Sequence, residues 1–393
     1  MKDEYVLFNN KKSETEPVDM TDVVVILCFY YKESFDEYFD RIKPVTEIAD
    51  TFLITSSSIV LERAQDIALK DQCSKMKVIE KPNRGRDISA LLVTAKDIIK
   101  NYKYICFYHD KTSKNQHTSE YAHNWEATLF DNTICNHFYV RNVIDYFKAD
   151  EQLGLLLPPE PLGEYHYFDY WLDNYENTVD LAKNLELNVV PDRNENPISV
   201  GTTFWARRDA LEKLFDYDWK YESFVDEPLP SDGTISHAVE RVLPYVVQDA
   251  GYTSKIMMNN EYACKHLSEK KDEQELSMKI LEKEFGILTP RQLNGFYETI
   301  ERIKELRKKK DKLYIYGTGM FGRACARMLD RFGIEYDGYV ETRKNKASFL
   351  KKRVFGLNEL KNDFGCVVSV SEINLEEILS QLSEFGNDDW IVY

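Results

Sequence analysis

Short apolar runs alternate with amphipathic stretches from Val23 onward, and this alternation limits the fold more than any other feature of the chain. "VVVILCFYY" (Val23–Tyr31) is an unbroken apolar run of strand length, and the largely helical "ESFDEYFDRIKPVTEIA" follows it. "TFLITSS" reads as a strand, "IVLERAQDIALKDQ" as a helix and "MKVIEKP" as a further strand. In "DISALLVTAKDIIKNY" the residues Ile88, Leu91, Leu92, Ala95, Ile98 and Ile99 recur at helical spacing, with Asp87 before them as the expected N-cap. "KYICFYHDKTS" is another strand, ending in polar residues. Such alternation predicts an α/β fold with a mostly parallel sheet and helices on both faces.

Beyond this series, residues 115–221 are aromatic-rich and irregular. "VGTTFWARRDALEKLF" predicts a strand running into a helix, and "DGTISHAVERVLPYVV" a helix capped by Asp232. Residues 268–312 are charged and helical, and a fresh strand, "LYIYG", begins at Leu313. At 393 residues the chain exceeds one ordinary core. The expected organisation is an N-terminal extension over 1–22, a large α/β domain over 23–267, a charged helical linker over 268–312 and a small Rossmann-like domain over 313–393.

The net charge of −16, from 51 basic and 67 acidic residues, argues against general nucleic-acid binding, which needs a basic face. Any anionic ligand must then be met by local cations. The seven cysteines (28, 73, 106, 135, 264, 325 and 366) are scattered and form no CxxC pair, which fits a reducing compartment. The first residues contain no apolar stretch of signal-peptide type, and "VVVILCFYY" is half as long as a membrane span. A cytoplasmic protein is expected.

Local cations do appear at predicted strand ends. "KPNRGRD" (Lys81–Asp87) lies at a strand-to-helix turn, where main-chain N–H groups and the arginine forks of Arg84 and Arg86 suit phosphate oxygens. Gly85 permits a positive φ or a close backbone approach. "YHDKTS" (Tyr108–Ser113) ends the next strand with His109, Asp110, Lys111 and Ser113. Lys111 could neutralise a diphosphate, and Asp110 is a weak candidate metal ligand for Mg²⁺ or Mn²⁺. The helix after Asp232 presents His237 and Glu240, so Asp232, Glu240 or His237 could act as a base on a hydroxyl. Each motif also has a plain structural reading: an ion-paired turn, a solvated Lys–Asp pair, a capped amphipathic helix. In the last segment Gly317, Gly319 and Gly322 form G-x-G-x-x-G between a strand and a helix, with Glu341 placed as a ribose-binding acid. The segment is short enough to suggest a single mononucleotide half, and tight helix–strand packing explains the same glycines equally well.

"EKPNRGRDISALL", "YKYICFYHDKTS", Trp125, "VGTTFWARRDAL" and "DGTISHAVERVLP", in that order, resemble the rhamnan synthesis protein F family of bacterial polysaccharide glycosyltransferases, over about Val23 to His266. The resemblance implies a GT-A-like domain that moves a sugar from a nucleotide-sugar donor, typically dTDP-rhamnose, to a growing cell-wall or capsular polysaccharide. Asn83, Arg84, Gly85, Arg86 and Asp87 match the family's first motif. His109, Lys111 and Ser113 match its "HTKKS" motif, while Asp110 and Thr112 depart from it, as Cys28 does where a histidine is expected. The implied partners are the donor and a saccharide or lipid-linked saccharide acceptor. The basic runs "KELRKKKDK" and "RKNKASFLKKR" suggest peripheral contact with the inner membrane surface or, more plainly, a solvated helix and loop. Two other classes remain open: a nicotinamide-dependent sugar-nucleotide oxidoreductase, from the glycine turn, and a non-catalytic sugar-nucleotide-binding assembly protein.

Overall fold

The computed structural model describes residues 4–12, 19–70, 73–111, 116–160, 171–198, 201–230, 232–361 and 363–393, with the side chains of 116–121 and 290–291 excepted. The chain divides into two compact units, Met1–Leu267 and Ser268–Tyr393.

The first unit is built on β1 (Tyr5–Phe8), β2 (Val23–Cys28), β3 (Asp50–Thr55), β4 (Met76–Glu80), β5 (Tyr104–His109), β6 (Leu153–Leu157), β7 (Phe204–Arg207) and β8 (Thr253–Asn259). They form one sheet in the order β1-β8-β6-β7-β5-β2-β3-β4. Every pairing is parallel except those of β7, which runs antiparallel to β5 and β6. The apolar runs are continuous because both faces are covered. Val23, Val25 and Leu27 face one core with Phe35, Phe39, Phe130 and Tyr139. Val24 and Ile26 face the other with Ile88, Leu91, Val239 and Val242. Each such side chain taken from water contributes about 1.5–3 kcal/mol, so this double layer dominates the unit's stability.

Two expectations need correcting here. Residues 5–8 are an edge strand of the sheet, in register with Ile256–Asn259, rather than part of a detached extension. The helix after Asp87 is not uniform. It runs from Arg86–Ser89 through a π turn at Ala90–Thr94 to Lys96–Ile99, with Ala95 N–H donating to Ala90 O at 2.9 Å. Such an i→i+5 turn occurs mostly as a single bulge and is frequent beside functional sites.

The second unit contains β9 (Leu313–Tyr316), β10 (Gly338–Glu341), β11 (Ser348–Phe349), β12 (Lys352–Gly356), β13 (Gly365–Val368) and β14 (Trp390–Val392). The order is β11-β12-β10-β9-β13-β14, and β11 alone is antiparallel to its neighbour. Numbered along the chain, the five parallel strands lie 3-2-1-4-5, which is the doubly wound order with its switch point between β9 and β13. The short segment thus has strands on both sides of the switch point, more than the single half expected from its length. The stretch read as a linker is also part of this unit. Phe296, Ile300, Ile303 and Leu306 of the helix Phe296–Lys309 are buried with Leu313, Ile315 and Met328. Three lysines of the basic runs are engaged locally: Lys310 pairs with Asp363 and Asp389, Lys312 with Asp337, and Lys344 with Glu359. No helix among the described residues is long and apolar enough to cross a membrane.

Candidate active site

The carboxyl ends of β4 and β5 and the start of β7 meet at one edge of the first sheet. Because β7 is antiparallel to β5, with Phe204 opposite Phe107, the chain just before β7 arrives beside His109. The start of the helix Ile235–Asp249 lines the same cleft. Arg86, Asp87, His109, Lys111, Thr202, Ser236, His237 and Glu240 all line this cleft.

The turn Lys81–Asp87 is shaped from inside. Lys81 is buried, and its Nζ donates to the carbonyls of Pro82 at 2.9 Å and Arg84 at 3.3 Å. Gly85 takes φ +70°, and a Cβ there would lie 2.6 Å from Phe224 Cγ, so the position admits only glycine. Arg86 follows at φ +45°, a left-handed conformation that is unfavourable for a side-chain-bearing residue. It leaves Arg86 half-exposed at the cleft, with Nε donating to Glu227 Oε1 at 3.1 Å.

Arg84 has a different job. Its Nε donates to Phe224 O at 2.8 Å and its Nη1 pairs with Asp226 at 3.0 Å, so it holds the 224–227 loop and does not line the cleft. Asn83 accepts from the Ser56 hydroxyl at 3.3 Å, also outside the cleft. Of the five motif residues, Arg86 and Asp87 line the cleft, and Gly85 shapes the turn that carries them.

Asp87 is the hinge of the site. Its Oδ2 accepts from the Thr202 hydroxyl and lies 3.8 Å from His109 Nε2. Burial pushes the Asp87 carboxyl up, but His109, Thr202 and Lys111 outweigh it and hold it below the usual carboxylate range. His109 is fixed from its other side by Nδ1, 2.9 Å from Asp110 O. The helix N-cap expected of Asp87 is not made; Gly85 takes the cap position, without a side-chain cap bond.

Asp110 serves the backbone. Its Oδ2 accepts the N–H groups of Tyr30 at 2.8 Å and Tyr31 at 2.7 Å, which ties the end of β5 to the turn after β2. Burial raises its pKa to about 6, against the pull of those two N–H groups. No group of three metal-ligating side chains occurs among the described residues. Through Oδ2 this carboxylate clamps the end of β5 to that turn. Cys28, in register with His109, is a buried thiol pushed upward by burial and by Asp87 and Asp110.

Lys111 Nζ sits 3.1 Å from the centroid of the Trp125 ring. Burial lowers its pKa to about 8, while Glu240 and Asp87 favour the charged form. Glu126, outside the motifs, is buried, with Ser34 Oγ donating to its Oε2 at 3.2 Å. Burial raises its pKa to about 8. Ser113 lies outside the described residues.

The three candidate bases separate. Asp232 accepts from the Asn174 amide at 2.6 Å and from Asp173 N–H at 3.0 Å, and it does not line the cleft. Burial raises its pKa, but these donors together with Arg241 and His237 hold it low. The helix cap expected of Asp232 belongs to Thr234, in a reciprocal pair with His237 Nδ1 2.8 Å away. His237 is thus tied to the cap at one nitrogen. Glu240 lines the cleft and pairs with Arg241 Nη1 at 3.3 Å. Thr202, Lys81 and Glu126 are contributions that motif reading missed. The signal available was only that Thr202 stands in a polar stretch next to a predicted strand.

In the second unit the glycine turn has a packing explanation. Gly317 has φ +113°, and a Cβ would lie 2.6 Å from Ser369 O; at Gly322 a Cβ would lie 2.0 Å from Gly317 O. Gly319 has open space around it. Glu341 accepts from the Thr318 hydroxyl through Oε1 and from Asn345 N–H at 2.9 Å through Oε2, so both carboxylate oxygens already serve this turn.

Comparison with known proteins gives three findings. Two proteins called uncharacterized protein WxcX, from Xanthomonas campestris pv. campestris strains B100 and ATCC 33913, are each 25% identical over 229 residues, or 58% of this chain. The match spans 32% of their length, so the chain accounts for about a third of these relatives. A solved mannosyltransferase, PcManGT from Pyrobaculum calidifontis in complex with GDP-Man and Mn²⁺, aligns over 63% of this chain and 60% of its own at 13% identity and a TM-score of 0.31, too low to bear on function. The family model for rhamnan synthesis protein F matches residues 2–252, well over half of the chain and seven of the eight strands of the first sheet, ending just before β8. With its sheet-edge motifs inside that match, the chain belongs to the rhamnan synthesis protein F family.

Proposed function

We propose that the first unit is a glycosyltransferase that takes a sugar from a nucleoside diphosphate and adds it to a growing polysaccharide. The observation that carries this reading is the convergence of Lys111 and Arg86, from the turns that follow β5 and β4, on one cleft that also holds Glu240. Transfer breaks the bond between the anomeric carbon and the diphosphate, and negative charge grows on the departing phosphate oxygen. Lys111, held charged beside Glu240 and Asp87, and the Arg86 fork offset that charge. Glu240 takes the proton from the acceptor hydroxyl as it attacks. Asp87, braced by Thr202, stands beside His109, whose ring is held at Nδ1 by Asp110 O.

Within this reading the donor sugar is rhamnose or another deoxyhexose, carried as a dTDP-rhamnose-like compound. The acceptor is a saccharide or lipid-linked saccharide of a cell wall or capsule, met at the cytoplasmic face of the membrane. A divalent ion fits the residues poorly: Asp87 and His109 could offer two ligands, and Asp110 is committed to backbone amides. Charge neutralisation is therefore assigned to Lys111 and Arg86.

The test is release of nucleoside diphosphate from a panel of nucleotide sugars, with and without oligosaccharide acceptors and Mg²⁺ or Mn²⁺. The reading expects one donor to be consumed faster than the rest, with turnover lost in Lys111→Ala. Absence of diphosphate release from every donor, with the protein folded, would overturn it.

A further inference from the structure

The β11–β12 hairpin of the second unit gathers cations in an otherwise acidic molecule. Between 342 and 358 the chain carries six of them, Arg343, Lys344, Lys346, Lys351, Lys352 and Arg353, and no acidic residue. Strand pairing brings them together: Ser348 stands opposite Arg353 and Phe349 opposite Lys352, and Val354 N–H donates to Ala347 O at 3.0 Å. Arg323, from the helix Met320–Arg331, joins the group. Its guanidinium and the Lys346 ammonium lie 5.4 and 5.1 Å from the centre of the same Phe349 ring.

Part of this charge is spent inside the unit. Lys344 and Arg353 share Glu359, at 3.2 and 3.8 Å, and Lys352 donates to Tyr336 O at 2.7 Å. The other four, Arg323, Arg343, Lys346 and Lys351, are exposed. Clusters of that size attract anionic lipid headgroups.

The turn adds an apolar tip. Leu350 and Lys351 are its two central residues, and both have positive φ, +45° and +65°. Such a two-residue turn favours Asn-Gly, and side-chain-bearing residues are strained there. Phe349 is turned inward onto Tyr339, with ring centres 5.0 Å apart, whereas Leu350 is 42% exposed. Lysines on an edge strand are explained by the need to block pairing with another sheet. That need gives no reason to keep a leucine on a strained tip. A surface that is anionic outside and apolar beneath does, since the cations meet its headgroups while the leucine enters the acyl boundary. A nucleic acid offers the charge without a layer for an aliphatic side chain.

We infer that the hairpin 343–353 docks on a bilayer rich in anionic lipid, with Arg323, Arg343, Lys346 and Lys351 on the headgroups and Leu350 at the acyl boundary. Each such cation strengthens binding about fivefold, so the association is reversible and sensitive to salt. The inference does not rest on the transferase reading, because every residue in it belongs to the second unit.

The full-length protein is sedimented with vesicles of phosphatidylcholine alone or with about 30% phosphatidylglycerol, at about 0.1 M and about 0.5 M NaCl. Binding is expected to the anionic vesicles only, and to fall at the higher salt. Arg343→Gln, Lys346→Gln and Lys351→Gln combined should weaken it about a hundredfold. Leu350→Asn should weaken it about tenfold, the low end for an aliphatic side chain leaving an apolar phase. Its melting temperature should stay equal or rise, because asparagine suits the left-handed turn. Loss of vesicle binding in a protein that folds at least as well separates docking from mere support of the hairpin. No binding to anionic vesicles at the lower salt, equal binding to both vesicle types, or unchanged binding in either variant would overturn the inference. So would tighter binding to a duplex oligonucleotide than to the vesicles.

Discussion

The Lys111 ammonium lies 3.1 Å from the centre of the Trp125 ring. A cation held by an aromatic face keeps its charge and its hydrogen-bond donors in a setting where burial opposes both, and such contacts contribute about 0.5–2 kcal/mol. Glu240 and Asp87 favour the charge from a distance. In the proposed reading the lysine is thereby presented to an anion.

A pH dependence follows from this placement. With a pKa near 8, Lys111 is charged below that pH and loses its proton above it. Donor kcat/KM should fall about tenfold per pH unit above 8, since this parameter reports groups of the free enzyme. Lys111→Arg should move that limb to higher pH. A profile flat to pH 9.5 would remove Lys111 from donor binding.

Arg84 and Arg86 should part company on substitution. Arg84→Ala breaks the contacts to Phe224 and Asp226 and should lower the melting temperature with little change in donor KM. Arg86→Gly relieves a left-handed arginine, so it should leave stability equal or higher while raising donor KM about tenfold. Thermal melts alongside steady-state kinetics separate the two.

Gly85→Ala combines a positive φ with a Cβ 2.6 Å from Phe224 Cγ. It should destabilise the first unit by about 1–3 kcal/mol, read by urea denaturation, and lower activity by misdirecting Arg86.

Glu126 gives a stability prediction of the same pH sense. Its folded pKa of about 8 lies above the ordinary 4.5, so the folded state holds its proton more tightly than the unfolded chain. That contribution is complete below pH 4.5 and is lost as pH rises to about 8. Glu126→Gln should therefore raise the melting temperature at pH 9, by about 2–4 °C per kcal/mol recovered, and change little at pH 4.5. Calorimetric scans at the two values check the sign.

Glu240→Gln should lower kcat by about 10²–10⁴-fold with donor KM nearly unchanged, the signature of a lost general base. Asp232→Asn, by contrast, should act through stability, because Asp232 anchors the backbone of Asp173.

Periodicity made the strands legible, because β2 and β5 are buried on both faces and leave continuous apolar runs. The same pattern placed Arg86, Asp87, His109 and Lys111 at strand ends, and those residues do share a cleft. Roles set by distant partners were not legible. Asp87 meets Thr202, Arg84 meets Phe224, and Asp110 meets Tyr30 and Tyr31, all across more than 75 positions of chain. Helix caps misled for a related reason: Asp232 is a good cap by type, but Asn174 and Asp173 claim its oxygens and leave the cap to Thr234.

The most direct measurement is calorimetric titration of dTDP and of thymidine into the wild type, Lys111→Ala and Arg86→Ala. If the two cations meet the diphosphate, each substitution weakens dTDP binding at least about tenfold and leaves thymidine binding unchanged. Equal dTDP affinity in all three proteins, or parallel loss of thymidine binding, would contradict the account.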